Sequence, residues 1–124
     1  MKNKKIDIKP YQLHTYKLEV EAYNVYDGDT LKDVVIGLGF GVYVRKDLRL
    51  ARIQAPEIRN RNKEEKQKGF ESKEYLISLL SNQSDLTVHI VGKGKYGRWI
   101  AEIYKSGESV SDIMLDSGFA KVYK

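Results

Sequence analysis

The chain contains no cysteine. That absence excludes disulfide scaffolds, thiolate metal centres, thioredoxin-like redox chemistry and cysteine nucleophiles together. Histidine is nearly as scarce: His14 and His89 stand far apart in sequence and form no close metal-ligand pair. His89 alternates with Val88 and Ile90, which places it on the exposed face of a strand. No window approaches the roughly 18 apolar residues of a membrane span, and Met1-Lys2-Asn3-Lys4-Lys5 runs into Ile6-Asp7-Ile8-Lys9-Pro10 without an apolar stretch. The expectation is a cytoplasmic product with no membrane partner, the alternative being the remainder of a secreted precursor. Internal repeats and low-complexity tracts are also missing.

What is present is enough for one domain: 124 residues, 41% hydrophobic and 31% charged. A domain of this size can bury a core and is expected to be monomeric. Lys and Arg number 22 against 17 Asp and Glu, a net charge of +5 that favours a polyanionic partner such as nucleic acid.

Residues 1–13 read as a basic arm, interrupted by Pro10, and 14–124 as the folded domain. From Tyr16 the pattern alternates, with Leu18, Val20 and Ala22 on one face. The phase slips at Tyr23 to Tyr26, suggesting a bulge, and Asp27-Gly28-Asp29 makes a tight turn into a second strand, Thr30 to Ile36. Gly37 to Gly41 is a further turn, and Val42 to Ile53 contains the third strand, which ends before Ala55-Pro56. From Lys63 to about Leu80, Phe70, Ile77 and Leu80 fall near the helical period, with Gly69 implying close packing against the sheet. Asp85 to Val91 and Arg98 to Tyr104 complete the strands, and Val110 to Leu115 is a short helix ended by Gly118. The expected fold is mainly β in the α+β class: a five-stranded OB-type Greek-key barrel, one long helix after strand three and a short C-terminal helix. A ferredoxin-like sandwich would want a helix after its first strand.

Three clusters can carry chemistry. Asp27-Gly28-Asp29-Thr30 aims two carboxylates at one point, as a hard cation requires, although the same residues also make an ordinary hairpin turn. Arg49 to Glu57 sets an arginine on a strand and uses Pro56 to fix the direction in which Glu57 leaves it; a snorkelling arginine and a surface acid fit equally. Gly92-Lys93-Gly94-Lys95-Tyr96-Gly97-Arg98 is a glycine-rich turn with cations, an aromatic and no acid, suited to a phosphate backbone or simply solvated.

Taken in order, Asp27-Gly28-Asp29-Thr30, Arg49, Pro56-Glu57, Lys95-Tyr96-Gly97-Arg98 and the late Gly118-Phe119-Ala120-Lys121-Val122 resemble the staphylococcal (micrococcal) nuclease family, the thermonucleases, over nearly the whole chain. The resemblance implies an OB barrel that hydrolyses phosphodiester bonds of DNA and RNA with a divalent cofactor, calcium in the family, magnesium or manganese being alternatives. It implies that Asp29 ligates the metal, with Asp27 as an outer-sphere acid and Ala55 contributing its carbonyl. Glu57 would be the general base, Arg49 and Arg98 would hold the scissile phosphate, and Lys95 and Tyr96 the neighbouring one. An in-line attack builds charge on phosphoryl oxygens, which a cation and two guanidinium forks stabilise more in the transition state than in the substrate.

Two departures stand out. Gln54 occupies the position of the family's second metal-binding aspartate, removing one negative charge from the metal shell. The chain also stops soon after Tyr123, which matches the family's base-contacting aromatics. A PD-(D/E)xK nuclease is disfavoured because its Glu-x-Lys matches, Glu64-Glu65-Lys66 and Glu71-Ser72-Lys73, fall on the charged helix. The main competing reading is an OB module that binds single strands without cutting them; an interaction domain without nucleic acid is the third.

Overall fold

Alternating apolar residues give strands that bury one face, and the strands here close the sheet on itself. The computed structural model describes residues 15–123, so the basic arm and His14 lie outside the described residues. The elements are β1 (Thr15–Glu19), β2 (Val25–Asp27), β3 (Thr30–Gly39), β4 (Val42–Leu50), β5 (Ile53–Gln54), α1 (Lys63–Leu80), β6 (Leu86–Lys93), β7 (Trp99–Lys105), β8 (Glu108–Ser109), α2 (Val110–Asp116) and β9 (Lys121–Val122). β1 pairs with both β3 and β6, β6 with β7, β7 in parallel with β4, and β4 with β3. These five strands form the closed OB-type barrel expected from the sequence, and closure removes exposed sheet edges.

Leu31, Ile36, Leu48, Leu50, Leu76 and Ile103 are among the fully buried side chains of the core. Burying each contributes roughly 1.5–3 kcal/mol. α1 begins where the Asn62 side chain accepts hydrogen bonds from the Glu64 and Glu65 amides, with both acids in the favourable first turn. α2 ends in a reversal in which the Gly118 and Phe119 amides reach back to Leu115 and Met114 carbonyls. No helix among the described residues is long and apolar enough to cross a membrane.

Five local expectations change. Ala22 is exposed and opens a short 3-10 turn, so the inward alternation stops at Val20. β3 runs on through Gly37 to Gly39, and the hairpin turns at Phe40-Gly41, both with positive φ. The buried stripe of α1 is Gly69, Ser72, Leu76, Leu79 and Leu80, whereas Phe70 is exposed. Gly69 faces the backbone of Glu57 and Ile58 rather than the sheet. His89 is half-buried on the outward side of β6.

Candidate active site

The site grows from the turn between β2 and β3. Gly28 is required there: a Cβ on it would stand 1.9 Å from Ser72 Oγ on α1 and 2.7 Å from the Ala55 Cβ. The turn is drawn against the helix, and Asp29 is carried inward until only 6% of it is exposed. Its carboxylate is held by three groups of the chain. Thr30 Oγ1 donates to Oδ1 at 2.9 Å, and the Ala55 amide donates to Oδ2 at 2.7 Å. Arg49 Nη1 stands 3.3 Å from the same Oδ2. The Asp29 carbonyl also accepts from the Leu50 amide, tying the turn to the end of β4.

Arg49 reaches this point because β4 places it opposite Thr30 on β3. Its Nη1 also donates to the Leu50 carbonyl, and its guanidinium lies 5.3 Å from the centre of the Tyr123 ring. Tyr123 is brought there by the pairing of β9 with β5 and by its amide, which donates to the Arg52 carbonyl. Asp29, Arg49, Ala55 and Tyr123 are thus joined by direct contacts.

Asp27 belongs to the same turn but faces a different environment. Its Oδ1 accepts from the Asp29 amide at 3.1 Å. Burial, then the neighbouring Asp29 charge, pushes its carboxyl up to about 6. Asp27 lines an open cleft of about 570 Å³ together with Glu57, Tyr96 and Arg98. Glu57 is exposed and leaves the chain just after Pro56, its main chain backed by Gly69. Arg98 is half-buried; its Nε donates to the Lys95 carbonyl and its guanidinium lies 5.8 Å from the Tyr96 ring centre. Tyr96 is 90% exposed with φ at 60°, in the left-handed region that bulky residues rarely adopt.

Gln54 lines a second cleft of about 380 Å³ with Ala55, Glu57 and Phe119, while its backbone pairs with Lys121. Glu57 is common to both clefts. Lys95 is exposed at the start of the β6–β7 turn and lines neither. Sequence reasoning missed Tyr26, Lys32 and Arg59, which line the first cleft beside the catalytic candidates. One signal was available: Lys32 follows Thr30 by two residues, the spacing that puts strand side chains on one face.

The donor set suits a hard cation in charge more than in number. Asp27 and Asp29 bring two carboxyl groups together where water is partly excluded, and Arg49 balances the charge of Asp29. Among the described residues no group of three or more His, Asp or Glu converges, so carbonyl and amide oxygens would have to complete a shell.

Residues 47–124, more than half of the chain, match the family model for staphylococcal nuclease homologues. The match takes in Arg49, Gln54, Ala55, Glu57, Lys95, Tyr96, Arg98 and Tyr123, while Asp27 and Asp29 precede it. An uncharacterized 38.1 kDa protein of Capnoides sempervirens is 42% identical over 55 residues, 44% of this chain. The overlap spans only 16% of that protein's length. The barrel with its two helices and the match over residues 47–124 support a nuclease-type or nucleic-acid-binding fold, and the chain belongs to the staphylococcal nuclease homologue family.

Proposed function

We propose that the chain hydrolyses phosphodiester bonds of DNA, and of RNA, by water attack within the cleft lined by Glu57 and Arg98. The observation that carries this reading is that an exposed carboxylate, a guanidinium and the acidic turn from distant parts of the sequence share one cleft. A pure binder gains nothing from three acids, Asp27, Asp47 and Glu57, on a surface meant for a polyanion.

Glu57 accepts the proton of the attacking water, a task suited to an exposed carboxylate free of ion pairs among the described residues. Arg98 spends Nε on the Lys95 carbonyl and keeps both Nη groups for phosphoryl oxygens. A guanidinium holds its protons tightly, so Arg98 stabilises the leaving oxygen rather than serving as a ready proton source. Arg49 uses Nη1 for Asp29 and Leu50, leaving Nη2 and Nε for the same phosphate. Lys95 and Tyr96 contact the adjoining phosphate, and Tyr123 flanks the base. Asp29, with the carbonyls of Ala55 and Gln54 and with Asp27 as an outer-sphere acid, would hold a divalent cation, calcium, magnesium or manganese. When bound, that cation supplies positive charge to the phosphoryl oxygens. Glutamine in place of a second aspartate makes its affinity low.

One observation favours the competing reading of a non-cutting binder. Arg49 already pairs with Asp29 within the chain, and the Ala55 amide donates to the same carboxylate oxygen.

Digestion of single- and double-stranded DNA and of RNA across calcium, magnesium and manganese separates the two readings. Glu57→Ala and Arg98→Ala are each expected to lower turnover by about 10² to 10⁴ while strand binding is retained in part. A chelator should stop cleavage. Salt-dependent strand retention with no cleavage under any cation would establish the binder.

A further inference from the structure

The cleft that holds Glu57 and Arg98 has a wall that the catalytic assignment leaves unused. Tyr26 from β2, Lys32 from β3 and Arg59 from the segment after Pro56 stand there. The Lys32 ammonium is 4.2 Å from the centre of the Tyr26 ring and the Arg59 guanidinium 5.8 Å. An aromatic face attracts a cation through its quadrupole, but it is a weak counter-charge for one cation and weaker still for two.

Among the described residues neither Lys32 nor Arg59 is ion-paired, although Asp27, Asp47 and Glu57 line the same cleft. Asp47 instead accepts a hydrogen bond from the Asp33 amide. The two cations therefore gather about one ring with their N–H groups uncommitted to carboxylates. An anion between them would satisfy both and relieve their mutual repulsion.

We propose that Tyr26, Lys32 and Arg59 form a further phosphate subsite, which takes a phosphodiester of the strand other than those held by Arg98 and by Lys95 with Tyr96. The inference rests on the function proposed above and goes beyond it by adding a site for a further phosphate of the strand. The three acids of the cleft repel a lone phosphate, so affinity comes only when several phosphates meet several cations together.

The test is fluorescence anisotropy of labelled oligothymidylates, from about two to about eight nucleotides long, in chelator so that no strand is cut. The wild-type protein is expected to tighten with length. Lys32→Gln/Arg59→Gln should bind the longer strands about tenfold more weakly, with a salt slope shallower by about 0.7 for each phosphate no longer neutralised. Tyr26→Leu should weaken binding and Tyr26→Phe restore it, since only the ring is needed. If the paired variant fails to fold by circular dichroism, each single Gln variant reports the same contrast at about threefold. Wild-type affinity and slope in these variants, with Arg98→Ala still weakening binding, would overturn the subsite alone. Failure of the wild-type protein to bind any strand would overturn the nucleic-acid function and the subsite with it.

Discussion

Asp27 and Asp29 are separated by a single glycine yet meet different fates. Asp29 is surrounded by donors, whereas Asp27 faces burial and its neighbour's charge, which push its carboxyl up to about 6. A carboxyl with a raised folded pKa keeps its proton over a range in which the unfolded chain has lost it. Its contribution to stability is therefore greatest at low pH and declines as pH rises from 3.8 toward about 6. Asp27→Asn should remove that decline and keep the acceptor for the Asp29 amide. At pH 7 in chelator the variant is expected to be more stable by about 1 kcal/mol, less than the full shift because the group is partly solvated. Near pH 4 the two proteins should converge, and urea unfolding across this range would check it. Single residues with distinctive chemistry, Asp29, Glu57 and Arg98, were legible in the sequence because they sit beside glycine or proline in short motifs. Tyr26, Lys32 and Arg59 were not, because their grouping depends on the irregular β2–β3 pairing and on where the segment after Pro56 travels.

At the scale of elements, the span of α1 was legible from its period and its polar start, but its phase was not. Counting apolar residues favours Phe70 and Ile77, whereas the inward positions include Gly69 and Ser72, which register no hydrophobicity. Their smallness is what α1 needs at the site. Gly69 lies against the Glu57–Ile58 backbone, and Ser72, whose Oγ donates to the Phe119 carbonyl at 2.8 Å, lies against Gly28. One face of one helix therefore supports both loops that carry acids. Helix propensity alone predicts that Gly69→Ala stabilises by about 1 kcal/mol. A Cβ there would stand 2.9 Å from the Glu57 carbonyl carbon and oxygen. The expected outcome is instead a net loss of about 1–3 kcal/mol. Turnover should fall because Glu57 is displaced. Thermal unfolding and steady-state digestion together would check both effects.

For the molecule as a whole, the five-strand barrel was legible because alternation and turn residues mark each strand. The pairings that finish it were not: β5 with β9 joins Ile53 to Val122 and Gln54 to Lys121 across more than half the chain. Two-residue strands have no sequence pattern of their own. This late clasp holds the strand that leads into Pro56-Glu57 and sets Tyr123 beside Arg49. Removing residues 121–124 should cost about 1–2 kcal/mol of stability, the scale of a few exposed backbone hydrogen bonds. Activity should fall by a larger factor than the change in folded fraction explains. Denaturant titration beside an assay at a temperature where the shortened chain is fully folded would separate the two.

The contact of Gly69 with the Glu57 backbone also bears on how this protein can evolve. Replacing an interior helical glycine by alanine is among the simplest routes to a hardier protein. Here that route leads through the residue proposed to activate water. Lineages selected for heat tolerance must find their gains in the barrel or on the outer faces of α1, and the glycine remains a fixed ceiling on how rigid the helix can become.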